Sequence, residues 1–275
     1  MSTENNQFRL PSQTLPVTDA SGNTTDIATI WHRGSGPYRP TIMWLSGFKS
    51  DMRGGKAMSL AEWCGWHDYG FLSLDYSGHG ESGGRFEDGT IGDWLAQARA
   101  VLEWADPARF VMVGSSMGGW IAMLLMRQLM KEDPERAKRA IGLVLIAPAW
   151  NMTERIYNEM TDEQRAALER DGEVIRPSDY DPAGYPITRK LIEEGKRYLI
   201  PSDTPIDVGA PVRIIQGMHD EDVPWRDSLE LFQRLVQEDA HLHLVRDGEH
   251  RLSRPQDIHL IFNAVRHVLE TLTES

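Results

Sequence analysis

The run Gly114-Ser115-Ser116-Met117-Gly118-Gly119 follows the apolar segment Ala108–Val113 and precedes residues with helical spacing. A serine there can do acyl transfer if it stands on a sharp, strained turn between strand and helix, with its hydroxyl clear of the sheet edge. Gly114 and Gly118 remove side chains that would clash across such a turn. The helix beginning after Ser116 aims its first amides at the point where negative charge develops. Ser115 is the neighbouring hydroxyl, but it occupies the x position of G-x-S-x-G and should turn away. Ser116 is the expected nucleophile.

A serine hydroxyl needs a base within hydrogen-bond reach and a carboxylate to orient that base. Where the serine stands on such a G-x-S-x-G turn between strand and helix, the usual chain order is Ser, acid, His. The apolar run Val212–Gln216 leads into Gly217-Met218-His219-Asp220-Glu221-Asp222-Val223-Pro224. The spacing G-x-x-D-x-x-V-P is the usual one for such an acid and selects Asp220, with Asp222 as its rival. The next run, His241–Val245, ends in Arg246-Asp247-Gly248-Glu249-His250. His250 lies beyond a strand end, where catalysts gather in open α/β sheets, and is the expected general base. His241 and His243 sit two apart on the strand itself and read as structural. One oxyanion donor is expected from the backbone amide of Met117. The other is expected from Phe48, in the loop Leu45-Ser46-Gly47-Phe48-Lys49-Ser50. The loop Asp75–Gly84 lacks the Lys-Ser/Thr pair of a phosphate loop and should pack against the site, with no catalytic role for His79.

The elements that must position these groups are short apolar runs alternating with amphipathic stretches. Thr41–Leu45, Phe71–Tyr76, Arg109–Val113, Ile141–Ile146, Val212–Gln216 and His241–Val245 read as strands covered on both faces. Ile91–Ala105, Met117–Lys131, Trp225–Val236 and Asp257–Leu272 have helical spacing. Such alternation predicts a mostly parallel α/β sheet. Ahead of it, Thr14–Val17 and Asp26–His32 suggest a hairpin through Ala20-Ser21-Gly22-Asn23. About sixty residues separate Ala149 from Val212. A structureless loop of that length is improbable, so a small inserted cap of helices is expected over residues 150–205, within one domain spanning residues 1–275.

Composition narrows the classes. A formal charge of −12 argues against phosphate backbones and anionic lipid surfaces, so no nucleic-acid partner is expected. No apolar run approaches the roughly 20 residues of a membrane span, and stable membrane insertion is not expected. The amino-terminal stretch reads as neither signal nor transit peptide. Cys64 is the one cysteine; it rules out an internal disulfide, suits a reducing compartment, and reads as a buried thiol in a helix. Cytoplasmic residence is the expectation.

With SGFKSDMRGGKA, DYSGHGESGG, VGSSMGGW, GMHDEDVPW and GEHRLS in place, the chain closely resembles one branch of the α/β-hydrolase superfamily. That branch contains the mitochondrial acyl-protein thioesterase/acyl-glucuronide esterase and its bacterial relatives. The resemblance spans roughly residues 40–270 and implies a sheet of about eight strands flanked by helices. It implies a Ser116-Asp220-His250 triad acting without metal or organic cofactor. It also implies hydrolysis of acyl thioesters or esters, S-palmitoylated protein among them. The sequence departs from many relatives at Ser46, where they carry His or Pro before the oxyanion glycine. A general carboxylesterase for small acyl esters and a non-catalytic ligand-binding protein on the same fold are the alternative readings.

Overall fold

The computed structural model describes residues 10–19, 22–36, 38–177 and 182–271. Ala20 and Ser21 of the expected hairpin turn lie outside the described residues, as do the first nine residues and Leu272.

The strands are β1 (Gln13–Thr18), β2 (Thr24–His32), β3 (Thr41–Leu45), β4 (Gly70–Leu74), β5 (Phe110–Ser115), β6 (Ala140–Ile146), β7 (Glu173–Arg176), β8 (Tyr185–Thr188), β9 (Val212–Gly217) and β10 (Ala240–Val245). The helices are α1 (Gly55–Trp66), α2 (Ile91–Ala105), α3 (Met117–Glu132), α4 (Pro134–Ala137), α5 (Met152–Glu159), α6 (Asp162–Asp171), α7 (Arg189–Gly195), α8 (Trp225–Arg234) and α9 (Pro255–Glu270). Eight strands form one sheet in the order β1-β2-β4-β3-β5-β6-β9-β10. The β1–β2 and β2–β4 pairs are antiparallel, and every other neighbouring pair is parallel.

The parallel strands are apolar on both faces because both faces are covered. Along β3, Met43 and Leu45 join the core under α2 and α3, while Ile42 and Trp44 join the core under α1 and α9. The same division separates Met112 from Val111 and Val113 on β5, and Leu143 and Leu145 from Val144 and Ile146 on β6. Every residue of β3, β4 and β5 is buried. At about 25 cal/mol per Å² of apolar surface removed from water, this layering is the main stabilising term. Cys64 is buried in α1, and burial pushes its thiol well above its ordinary range. Among the described residues no helix is long and apolar enough to cross a membrane.

Parallel pairing brings the chemistry-bearing loops to one edge. Leu45 is in register with Gly114, Ser115 with Ile146, Ile146 with Ile215, and Gly217 with Val245. The loops after β3, β5, β9 and β10 therefore leave the sheet side by side, although about two hundred residues of chain separate the first exit from the last.

The segment between β6 and β9 is not purely helical. It holds α5, α6 and α7, but also an antiparallel hairpin of β7 and β8. The stretch from Ile187 to Leu199, within the cap expected to be helical, places Ile187 and Thr188 in β8. The Thr188 side chain then caps α7 by accepting the Leu191 N–H at 3.1 Å. α8 ends at Arg234 rather than Val236, whose N–H goes instead to the Ile206 carbonyl. His241 and His243 share the solvent-facing side of the edge strand β10, and His241 lies 3.3 Å from the Asp239 carboxylate.

Candidate active site

Ser116 sits between β5 and α3 at φ 55° and ψ −120°, a conformation that costs a non-glycine residue on the order of 1–3 kcal/mol. The surroundings hold it there. Its N–H donates to the Ile146 carbonyl at 2.8 Å, and its carbonyl accepts from Gly119 and Ala149. The flanking glycines are sterically required. A Cβ on Gly118 would lie 2.0 Å from the Leu45 carbonyl oxygen, and one on Gly114 would lie 2.3 Å from the Gly118 carbonyl oxygen.

The structure brings together the three side chains expected from spacing. His250 Nε2 lies 3.1 Å from Ser116 Oγ, and His250 Nδ1 lies 2.8 Å from Asp220 Oδ2. The Asp220 side chain is inaccessible to solvent, and His250 is mostly covered. Asp220 Oδ1 accepts the N–H groups of Asp222 at 2.9 Å and Val223 at 2.7 Å, while Oδ2 also accepts from Gln216 Nε2 at 2.9 Å. Asp222, the rival acid, donates its backbone N–H to this arrangement and lines the cavity. Asp220, Asp222 and His250 also lie close enough to chelate a cation. The Asp220 oxygens and His250 Nδ1 are already committed to one another and to N–H donors, so this donor set fits a hydrogen-bonded relay better than a cation cage.

The loops carrying the acid and the histidine are zipped by their backbones. Met218 N–H donates to the Val245 carbonyl and His219 N–H to the Gly248 carbonyl. A Cβ on Gly217 would meet the Gly248 carbonyl oxygen at 2.4 Å. From the other side, Lys56 in the first turn of α1 donates Nζ–H to the Arg251 carbonyl. Burial pushes the Lys56 ammonium down to about 8.

Met117 follows Ser116 at the start of α3, and Phe48, on the loop after β3, lines the same cavity as Ser116. Gly47 makes this approach possible, since a Cβ there would crowd Ser116 Cβ at 3.2 Å. Among the described residues neither amide has an intramolecular acceptor, which leaves both able to receive a developing oxyanion. Ser46 accepts the Trp44 indole N–H through its hydroxyl at 3.0 Å. The Phe48 ring is held edge-on by Phe86, Trp94 and Tyr185, with centroids 4.8, 5.9 and 5.9 Å away.

Two supports of this loop escaped the sequence reading. Asp75 is buried and accepts the Met52 N–H at 2.6 Å and the Glu81 N–H at 2.8 Å, tying the loop after β3 to the loop after β4. Burial raises its pKa above the usual carboxylate range. His79 is buried among aromatic rings. Its Nε2 accepts the Lys49 N–H at 3.2 Å, and its Nδ1–H donates to the Ser77 carbonyl at 3.1 Å. That tautomer is neutral at both ends.

Burial pushes His79 down from 6.5 to about 4. Between those values the unfolded chain takes up a proton that the folded protein refuses, so stability falls as pH falls through that window. The contribution amounts to about 3 kcal/mol across the whole interval. His79→Gln should flatten this part of the stability profile, measured by urea unfolding at stepped pH. An unchanged slope would show that another group carries the dependence.

Ser116, His250 and the loop after β3 border one cavity of about 570 Å³. Its wall includes Ser116, His250, Phe48 and Val223, with Met152, Ile156, Tyr185 and Ile187 contributed by the segment between β6 and β9. Arg155 of α5 reaches down from that segment to donate to the Asp222 carbonyl.

Residues 36–181 match the family described as serine aminopeptidase, S33 (Hydrolase_4), more than half of the chain and including Phe48 and Ser116. The palmitoyl-protein thioesterase ABHD10, mitochondrial, of Mus musculus is 32% identical over 235 residues, covering 85% of this chain and 76% of that protein. Among solved structures, an Agrobacterium vitis S4 protein with a provisional hydrolase name superposes with a TM-score of 0.88 at 40% identity, covering 95% of this chain and 99% of that one. The mouse alpha/beta hydrolase domain-containing protein 10 superposes with a TM-score of 0.82 at 30% identity, covering 95% and 99%. The chain belongs to the S33 serine aminopeptidase family of hydrolases, built on the α/β-hydrolase fold.

Proposed function

We propose that this hydrolase is a serine enzyme that cleaves acyl thioesters or esters, in the manner of a palmitoyl-protein thioesterase. The observation that carries the reading is the chain of hydrogen bonds from Ser116 Oγ through the His250 imidazole to the buried Asp220 carboxylate. In this mechanism His250 Nε2 takes the Ser116 proton as Oγ attacks the acyl carbon. The amides of Phe48 and Met117 hold the oxyanion. Collapse expels the thiol or alcohol, which receives the proton from His250, and leaves an acyl-enzyme. Water activated by His250 then releases the acid and restores the serine. Asp220 holds the imidazole in its Nδ1–H tautomer and balances its charge in the transition state.

The thioester preference draws on the named activity of the mouse relative and on the apolar wall of Phe48, Met152, Ile156, Tyr185 and Ile187 beside Ser116. Residues 150–205 act in this reading as a cap that supplies one side of the acyl site. No cofactor takes part, and cytoplasmic residence belongs to the proposal because of the lone buried thiol.

Matched thioesters and oxyesters, from two-carbon to sixteen-carbon acyl chains, test the substrate. The expected result is kcat/KM rising with chain length and higher for thioesters, with stoichiometric fluorophosphonate labelling at Ser116. Preference for short oxyesters would make the protein a general carboxylesterase with the same machinery. Absence of labelling and turnover on every member would place it among non-catalytic binding proteins.

A further inference from the structure

We propose that Gln216 is a positioning residue for the acid, fixing the Asp220 carboxylate against His250 through an amide that Ser228 holds in one orientation; the inference rests on Asp220 being the acid of the mechanism above. Gln216 is the penultimate residue of β9, and both it and Ser228 of α8 are fully buried. Ser228 Oγ–H donates to Gln216 Oε1 at 2.7 Å. Oε1 is the acceptor end of that amide, so the contact decides which way the amide faces. Nε2 is thereby turned toward three acceptors: Asp220 Oδ2 at 2.9 Å, the Gly217 carbonyl at 3.0 Å and the Val223 carbonyl at 3.1 Å. It has two hydrogens for these three oxygens, and the ionised carboxylate is the strongest acceptor of the set.

The effect on Asp220 follows from counting its donors. Oδ1 is held by the backbone of the turn, through Asp222 and Val223. Oδ2 receives only two donors among the described residues, His250 Nδ1 and Gln216 Nε2. No Lys or Arg ion pair reaches Asp220 among the described residues, so its charge is sustained by N–H dipoles. Without Gln216, one of the two restraints on the oxygen that faces the imidazole is gone. The carboxylate becomes a stronger base, the imidazolium gains relative to the imidazole, and the acid limb of the pH–rate profile moves upward.

Gln216→Leu keeps a similar volume and removes the donors. We expect kcat to fall roughly 10- to 100-fold, the range of a charge-assisted hydrogen bond, with KM within about two-fold of the parent. The acid limb should rise by about half a pH unit. The decisive readout is the same substitution in an Asp220→Asn background, followed by the rate of fluorophosphonate labelling at Ser116. There it should add less than about two-fold, because residues acting through one another are not additive. Equal losses in both backgrounds, or an unmoved acid limb, would show that Gln216 only closes the turn, and the proposal would fall. If Gln216→Leu does not fold, Ser228→Ala frees the amide with a smaller perturbation, and its milder loss should likewise vanish beside Asp220→Asn. Near-parental turnover of Asp220→Asn alone would overturn the acid assignment itself, a result separable from failure of Gln216.

Discussion

Ser116→Ala should lower turnover by about 10⁶-fold, the scale seen when a nucleophile is removed from a preorganised serine site. The substitution deletes only Oγ, whose partner is His250 Nε2 at 3.1 Å. The backbone amides of Phe48 and Met117, the cavity wall and the Asp220–His250 bond all remain, so binding of substrate should persist while covalent chemistry stops. His250→Ala should cost about as much, and the double variant should lose little beyond either single one, because each acts only with the other present. Additive losses would mean that the two side chains serve separate steps. The backbone offers an independent check. Ser116 is held at φ 55°, where glycine alone is at ease. Ser116→Gly should therefore be inactive yet more stable than the parent, by roughly 0.5–1 kcal/mol in urea unfolding. A less stable glycine variant would indicate that the turn is relaxed and stores no strain.

Much of this site is readable from the chain because the constraints are local. A strained turn between strand and helix needs Gly114 and Gly118, and apolar runs as short as Thr41–Leu45, bounded by turn residues, read as strands covered on both faces. Asp220 and His250 announce themselves because each follows such a run at the sheet edge. The supports are not local and were missed. Gln216 reads as one more residue in a buried strand until Ser228, on the following helix, fixes its amide. His79 reads as part of a glycine-rich turn until the Lys49 amide, thirty residues earlier in the chain, lands on its ring. Asp75 and Lys56 likewise acquire their roles only when loops from different strands meet. The β7–β8 hairpin was hidden for another reason. Its strands are four residues long and β7 is half exposed, so the alternation is too brief to stand out beside the helical patterns around it.

Asp220→Asn should lower kcat by about 10⁴-fold with KM little changed, whereas Asp222→Asn should stay within about ten-fold of the parent. Asn preserves the shape of the side chain but presents an NH₂ or a neutral oxygen to His250 Nδ1, and either the tautomer or the balancing charge is lost. Geometry separates the two aspartates more sharply than spacing does. Asp220 is sealed from solvent and gives one oxygen to the imidazole. The hydrogen bonds of Asp222 run through its backbone, by donating its N–H to Asp220 Oδ1 and accepting from Arg155 at its carbonyl. Those two contacts survive conversion of its side chain to Asn. The environment of Asp220 also predicts how the variant fails. Its oxygens are held by N–H donors from Asp222, Val223 and Gln216. An Asn in that pocket must set an NH₂ against at least one of these donors, which disfavours a buried amide by on the order of 1–3 kcal/mol. Asp220→Asn should thus be measurably less stable as well as slow, while Asp222→Asn should be neither. A slow but fully stable Asp220→Asn protein would mean that the pocket can relax around the amide, and that the donors hold the carboxylate less firmly than their distances imply.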